Sequence, residues 1–182
     1  YVLYPYLRYE DFRHRRASAK PAEVAAFLVG HEDWAFTAGL RVAWLRSLGQ
    51  RGNWKALAEY AADAADVEVQ CQYARALLEL GHSDVLLAQA QRLWTAGRSQ
   101  PSACDPVFAW LQGQDGITPA IAWERIRLAM VEGNARFTLY LKRFVPPRER
   151  TWVDRWQDLS RRHYRGLDAA HVWPDTAITR MI

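Results

Sequence analysis

Two cysteines, Cys71 and Cys104, are the only thiols in the 182-residue chain, and their spacing permits disulfide chemistry. The sequence from Cys71 onwards predicts three helices joined by short turns at Gly81 and Gly97. Short connections make successive helices antiparallel, so the first turns of the first and third helices lie at the same end. A disulfide requires Cα atoms within about 7 Å, which this arrangement allows. Two buried free thiols, packing as small apolar residues, are the alternative.

Two tryptophans and an arginine near the C-terminus could bind a sugar polymer. Trp152 and Trp156 are four residues apart and therefore share one helix face. If this face is exposed, the rings could stack on sugars while Arg155 binds carboxylates. If it is buried, the tryptophans are core residues. Segment 142–165 holds eight Lys or Arg residues against three Asp or Glu residues, and could attract a polyanion or simply form a solvated helix face.

The remaining ionisable residues show no pattern of a catalytic or metal site. The histidines are His14, His31, His82, His163 and His171. They are scattered, and none has metal-ligand spacing with a third candidate ligand nearby. The neighbouring carboxylates are Glu10 with Asp11, Asp63 with Asp66, and Asp154 with Asp158. We interpret them as helix-surface charge, since a glycosidase needs two carboxyl groups facing across a cleft. The sequence therefore predicts no catalytic residue, no metal site and no cofactor.

The elements that position these residues are predicted to be helices. No stretch alternates in polarity for long enough to predict a strand. Helices are separated by recurring turns at Gly52-Asn53, Gly81-His82 and Gly133-Asn134, in which the asparagines are expected to cap the next helix. Because a helix pair cannot bury its apolar face alone, stacking is expected. The sequence thus predicts an all-α fold, an irregular right-handed α-superhelix or solenoid of stacked antiparallel helix pairs.

The predicted solenoid is a single all-helical domain over residues 1–182. Half of the residues are hydrophobic, which is enough for a packed core. No apolar run approaches the roughly 20 residues that span a membrane, so no transmembrane segment is expected. The chain begins at Tyr1 rather than Met. We therefore expect it to be a fragment of a longer chain.

Four segments resemble a known family. They are LYPYLRY at 3–9, CQYARALLELG at 71–81, LWTAGRSQPSACDPVF at 93–108 and ERIRLAMVEGN at 124–134. In order and approximate spacing they resemble the N-terminal superhelical domain of the soluble lytic murein transglycosylases of Gram-negative bacteria. The resemblance covers roughly residues 1–140, and it places a cysteine pair at Cys71 and Cys104.

The resemblance implies a periplasmic location and a role in cell-wall turnover. In such enzymes a superhelical domain is joined through a linker domain to a lysozyme-like catalytic domain. The catalytic domain cleaves peptidoglycan non-hydrolytically and leaves 1,6-anhydromuramoyl ends. The expected partners are peptidoglycan, the catalytic and linker domains of the parent chain, and other cell-wall enzymes. The expected disulfide agrees with an oxidising compartment.

The chain departs from the family in lacking its catalytic motifs. Neither the Glu-Ser dipeptide nor the downstream Gly-Leu-Met-Gln run occurs in the sequence. The lysozyme-like domain is therefore absent, and this chain alone is expected to be inactive. The expected function is a non-catalytic module that scaffolds the enzyme and helps hold glycan strands.

Two other binding functions are alternatives for a basic, all-helical chain. A helical-repeat scaffold for protein–protein interaction is the main alternative, and it predicts an exposed apolar groove instead of a basic one. Nucleic-acid binding is suggested only by a pI near 9.3. No recognition motif supports it, so no nucleic-acid partner is expected.

Overall fold

The computed structural model describes residues 3–161, 170 and 172–182. Ten α-helices and three short 3-10 turns occur within them. The helices are α1 (Tyr4–Arg15), α2 (Pro21–Val29), α3 (Thr37–Gln50), α4 (Trp54–Tyr60), α5 (Val67–Leu80), α6 (Ser83–Trp94), α7 (Asp105–Gly113), α8 (Pro119–Val131), α9 (Ala135–Leu141) and α10 (Arg150–Arg161); the turns are Ser102–Cys104, Lys142–Phe144 and Pro147–Glu149. The described residues form no strand, which confirms the predicted all-α class. None of these helices is long and apolar enough to cross a membrane.

The chain divides into two compact units. Unit 1 comprises residues 1–89 and 101–107, and unit 2 comprises residues 90–100 and 108–182. The expectation of one domain over residues 1–182 stays a prediction.

Local capping signals set several helix ends. The side chain of Asn53 accepts a hydrogen bond from the Ala56 backbone N–H (3.4 Å), and the Asp66 carboxylate accepts one from Val69 (3.0 Å). Burial acts to raise the pKa of Asp66. Its hydrogen bonds from Arg46 and the Val69 N–H outweigh this, so the pKa is lowered from its usual value. Asp66 therefore stays ionised at neutral pH, as a negative charge at the N-terminus of α5.

The turn at Gly133-Asn134 is only partly as predicted. Gly133 ends α8 with a φ of 71°, which an L side chain rarely adopts. The Asn134 side chain, however, does not cap α9. Its Nδ2 donates instead to the Gly97 carbonyl (3.4 Å), a residue 37 positions earlier. A tertiary partner thus replaces the expected local one.

Helix α3 is at the centre of the unit 1 core. Its apolar residues Leu40, Trp44, Leu45 and Leu48 are buried. Helix α3 packs on both α4 and α5.

The predicted disulfide joins Cys71 and Cys104 in unit 1. Cys71 lies in α5 and Cys104 ends the 3-10 turn that leads into α7. Their Cα atoms are 4.6 Å apart, and both residues are fully buried. The bond therefore ties α5 to a turn 33 residues later in the chain.

Unit 2 places α10 against α9. Val153, Trp156 and Leu159 form the buried side of α10. Gln157 donates from Nε2 to the Ala135 carbonyl (2.9 Å) and also to Thr138 Oγ1. These bonds satisfy a buried amide and fix α10 on α9.

Gly97 allows the loop after α6 to approach α8 closely. A Cβ atom there would lie 2.7 Å from the Glu132 carboxyl carbon and 2.8 Å from the Leu128 carbonyl carbon. We expect Gly97→Ala to lower the free energy of unfolding by about 1–3 kcal/mol, because backbone atoms must shift. Urea denaturation measures this.

Gly39→Ala is the matched control for Gly97→Ala. Gly39 lies within α3, and its added Cβ would meet nothing within 4 Å. Alanine has the higher helix propensity, so this change should stabilise by up to about 1 kcal/mol. Equal effects of the two substitutions would contradict the close-approach explanation.

Candidate functional site

Trp152 and Arg155 form a surface pair on α10. The Arg155 Cζ atom lies over the Trp152 ring, 4.4 Å from its centroid. Arg155 is exposed and Trp152 is half-buried. Trp173 meets Trp152 edge to face, with centroids 5.5 Å apart. A guanidinium stacked on a ring keeps its N–H edges available for a carboxylate.

Trp156, the third residue of the predicted site, lies in the core. It is 7% exposed. For Trp156 the structure agrees with the alternative that the tryptophan is a core residue. The sequence-based site therefore contains two residues at the surface, Trp152 and Arg155, and one that supports the helix beneath them.

Part of the basic segment around this pair is engaged in contacts within the chain. Lys142 Nζ lies 2.6 Å from a carboxylate oxygen of Asp154. Arg150 donates to the carbonyls of Val145 and Arg143, each at 3.4 Å. Arg162 and Arg165, which contributed to the predicted charge, lie outside the described residues. Arg155 has no carboxylate partner among residues 3–161, 170 and 172–182.

A second aromatic–arginine pair was not predicted. The Arg143 Cζ atom lies 4.0 Å from the Tyr140 ring centroid and 5.0 Å from that of Phe144. Tyr140 is 48% exposed. The signal was present in the sequence, because Tyr140 and Arg143 have the same three-residue spacing as Trp152 and Arg155.

A buried arginine, Arg125, contacts the second pair through Phe137. Arg125 is 3% exposed, and its Cζ atom lies 4.9 Å from the Phe137 centroid and 4.4 Å from that of Trp94. Phe137 in turn stacks on Tyr140 at an interplanar angle of 7°. The sequence does not mark Arg125 as buried, since arginine is rarely fully buried.

Arg125 is held by carbonyl oxygens without a carboxylate partner in the described part of the chain. Its Nε donates to the Ala96 carbonyl (3.0 Å) and a terminal nitrogen donates to the Arg98 carbonyl (3.3 Å). Burial lowers the pKa of Arg125 to about 10. The guanidinium therefore remains charged at neutral pH and fixes the loop 95–98 to α8.

The histidines and neighbouring carboxylates take part in local contacts. His31 Nδ1 lies 2.8 Å from the Phe27 carbonyl, and His14 lies 3.7 Å from Glu10. No group of three possible metal ligands occurs within the described residues. His82 is exposed in the turn before α6. His163 and His171 lie outside the described residues.

Unit 1 contains a cavity of about 450 Å³ between charged and aromatic side chains. Its lining includes Glu32, Arg41, Trp44, Tyr60 and Asp63. Arg41 donates to Asp63 at 2.5 Å, and this bond lowers the pKa of Asp63. A glycosidase acid requires a raised pKa, so Asp63 is unsuited to protonating a leaving group at neutral pH.

Sequence comparison finds relatives that are much longer than this chain. The soluble lytic murein transglycosylase of Escherichia coli K12 is 30% identical over 147 residues, which is 80% of this chain and 23% of the relative. The enzyme of the same name from Salmonella typhimurium is 29% identical over 152 residues, covering 83% and 24%. The chain thus spans about a quarter of these relatives. No family model matches it.

Solved structures of similar proteins cover the whole chain. The 70-kDa soluble lytic transglycosylase, in complex with bulgecin A, aligns with a TM-score of 0.77 at 28% identity, over 100% of this chain and 29% of that one. An inactive mutant of lytic transglycosylase Slt from Pseudomonas aeruginosa aligns with a TM-score of 0.79 at 30% identity, over 100% and 30%.

Proposed function

Because this chain is homologous to a helical part of the soluble lytic murein transglycosylases, we propose that it is a non-catalytic module of such an enzyme. In this proposal the module scaffolds the enzyme and helps hold peptidoglycan glycan strands. The observation that carries the proposal is the homology itself, which extends over 80% of this chain, together with the structural match to the 70-kDa soluble lytic transglycosylase at a TM-score of 0.77.

The residues of the chain support a role in holding substrate rather than in cleaving it. The catalytic Glu-Ser and Gly-Leu-Met-Gln sequences of the family are not in this chain. Interactions with polymer away from the reacting bond can still contribute to catalysis by positioning the substrate. The pair of half-buried Trp152 and exposed Arg155 suits this role, because peptidoglycan offers both sugar rings and carboxylates.

The proposal includes a location and partners. We place the module in the periplasm of a Gram-negative bacterium, where peptidoglycan lies and where disulfides persist. Its partners are peptidoglycan, the catalytic and linker domains of the parent enzyme, and other cell-wall enzymes. The buried Cys71–Cys104 bond supports an oxidising location.

Co-sedimentation with purified murein sacculi tests the proposal. The 182-residue chain should pellet with sacculi, and its binding should weaken as salt rises, because exposed charges are screened. Mass spectrometry of the supernatant should find no anhydromuropeptides. Released anhydro products would contradict the non-catalytic assignment. Absence of binding at low salt would contradict glycan holding and favour the protein–protein scaffold.

A double substitution tests the α10 pair. We expect Trp152→Ala/Arg155→Ala to weaken binding to sacculi about tenfold, because it removes a stacking face and a carboxylate-binding fork. Lys55→Ala on α4, which removes an exposed positive charge from unit 1, is the control and should change affinity less than about twofold. Similar losses in both variants would indicate a general charge effect instead of a site.

A further inference from the structure

The cavity in unit 1 presents a carboxylate and a guanidinium that can each bind a further group. The carboxylate belongs to Glu32, in the turn between α2 and α3, and the guanidinium belongs to Arg41 on α3. We infer that this cavity binds a small zwitterion, a molecule with an ammonium and a carboxylate group on an apolar body, such as an α-amino acid with a large apolar side chain. The site is separate from the proposed glycan-holding function, because it takes a different class of ligand.

Glu32 supplies the group that binds the ammonium. Its side chain is exposed, and it forms no ion pair or side-chain hydrogen bond within the part of the chain that the structure describes. A carboxylate accepts hydrogen bonds through both of its oxygens, so an ammonium can donate to it. Asp63, the second carboxylate on the wall, is already bound by Arg41.

Arg41 supplies the group that binds the carboxylate of the ligand. Its Nη2 atom donates to the Tyr60 carbonyl (3.2 Å) and to Asp63 (2.5 Å). A guanidinium has five N–H donors, and those on Nε and Nη1 of Arg41 have no partner among the described residues. The side chain is 39% exposed, so a ligand can reach these donors. Its two existing bonds fix the orientation of the guanidinium in advance.

The rest of the wall suits the apolar body of such a ligand. Its apolar and aromatic members come from α2, α3 and the end of α4, and they are Ala25, Leu28, Val29, Ala38, Trp44 and Tyr60. The Trp44 and Tyr60 rings pack on each other with their centroids 5.4 Å apart. Pockets for small molecules are mostly apolar with a few polar groups, and a volume of about 450 Å³ is within their usual range.

Hydrogen bonds hold the turn that carries Glu32. The Thr37 hydroxyl donates to the His31 carbonyl (2.6 Å), and the Trp34 backbone N–H donates to the same oxygen (3.1 Å). The His31 ring stacks on Phe27 with centroids 4.4 Å apart. A site that is ordered before the ligand arrives loses less conformational freedom on binding.

Charges of opposite sign on one wall favour a zwitterion over a simple ion. A simple anion bound to Arg41 would be repelled by the Glu32 carboxylate, and a simple cation bound to Glu32 would be repelled by Arg41. A zwitterion offers each of these groups a charge of opposite sign. The indole N–H of Trp44 is buried and has no acceptor among the described residues. Because buried donors normally have a partner, this N–H favours a ligand that carries an acceptor oxygen.

Nuclear magnetic resonance titration of the 182-residue chain with L-phenylalanine tests the inference. We expect a saturable shift of the Trp44 indole N–H signal, with a Kd below about 1 mM. N-acetylphenylalanine lacks the ammonium and phenylalaninamide lacks the carboxylate, so each should bind at least about tenfold more weakly. The indole N–H of Trp123 already donates to Glu149 (2.8 Å), and its signal should not move.

Glu32→Gln and Asp33→Asn form a matched pair of variants. Both remove one negative charge from the same exposed turn, but Glu32 lies on the wall of the cavity and Asp33 does not. Glu32→Gln should weaken phenylalanine binding about tenfold, and N-acetylphenylalanine binding less than about twofold because that probe has no ammonium. Asp33→Asn should leave both affinities within about twofold. Circular dichroism should show unchanged helix content for both variants.

Three outcomes would overturn the inference. The first is a Trp44 signal that does not shift at about 10 mM phenylalanine. The second is equal binding of phenylalanine and its two single-charge analogues, which would show that the cavity selects only the apolar body. The third is an equal loss for Glu32→Gln and Asp33→Asn, which would indicate a general charge effect. None of them bears on the binding of sacculi.

Discussion

Arg125→Ala is expected to lower the free energy of unfolding by about 3–5 kcal/mol, the larger of the two main stability effects. The substitution removes a buried side chain from between the Trp94 and Phe137 rings. It also leaves the carbonyls of Ala96 and Arg98 without their donor. Urea denaturation monitored by circular dichroism measures the loss.

Burying the charged guanidinium of Arg125 destabilises the folded state, and the contacts of Arg125 must offset this destabilisation. The pKa of Arg125 in the folded chain, about 10, is below the ordinary value of an arginine because burial disfavours the charged form. The unfolded chain therefore binds the proton more tightly, and the cost is fully present below about pH 10. Arg125→Met fills similar volume without the charge, so we expect a smaller loss than for alanine.

Arg127→Ala is the control on the same helix. Arg127 is at the surface of α8 and pairs with Glu124 at 2.6 Å. Exposed pairs of this kind contribute about 0–1 kcal/mol. A loss for Arg125→Ala no larger than that for Arg127→Ala would show that the buried guanidinium does not hold the loop 95–98 in place.

Removal of the disulfide has the second large effect. The Cys71–Cys104 bond closes a loop with a sequence separation of 33 residues. In the unfolded chain this restricts conformational freedom, which stabilises the folded state by about 3–4 kcal/mol. We expect Cys71→Ala/Cys104→Ala to lose this amount in urea denaturation under oxidising conditions.

Adding a reductant separates the effect of losing the disulfide bond from the effect of replacing the two cysteine side chains. Reduced wild-type protein should match the double variant within about 1 kcal/mol, and reductant should not change the variant itself. Because both cysteines are fully buried, reduction should be slow until the chain unfolds. Identical stability of oxidised wild-type protein and the double variant would refute a stabilising role for the bond.

The candidate site was only partly predictable, because spacing along a helix does not reveal its environment. Trp152 and Trp156 share a helix face by spacing, yet Trp152 is half-buried at the surface and Trp156 is in the core. Helix α10 packs on α9 and on the two preceding 3-10 turns, and spacing along α10 does not show which of its residues these neighbours cover. Tyr140 with Arg143 could have been found from their spacing, but their exposure could not.

The amino-acid sequence determined the helices, several of their ends and the conditions for the disulfide. Asn53, Asp66 and Gly81 act on backbone groups within a few residues, so their effects can be predicted locally. Only the tertiary structure decided that Arg125 is buried among rings and that Asn134 binds Gly97 instead of capping α9. The hydrogen bonds of Arg125 and Asn134 join residues 27 to 37 positions apart, and their energy depends on which helices exclude water around them.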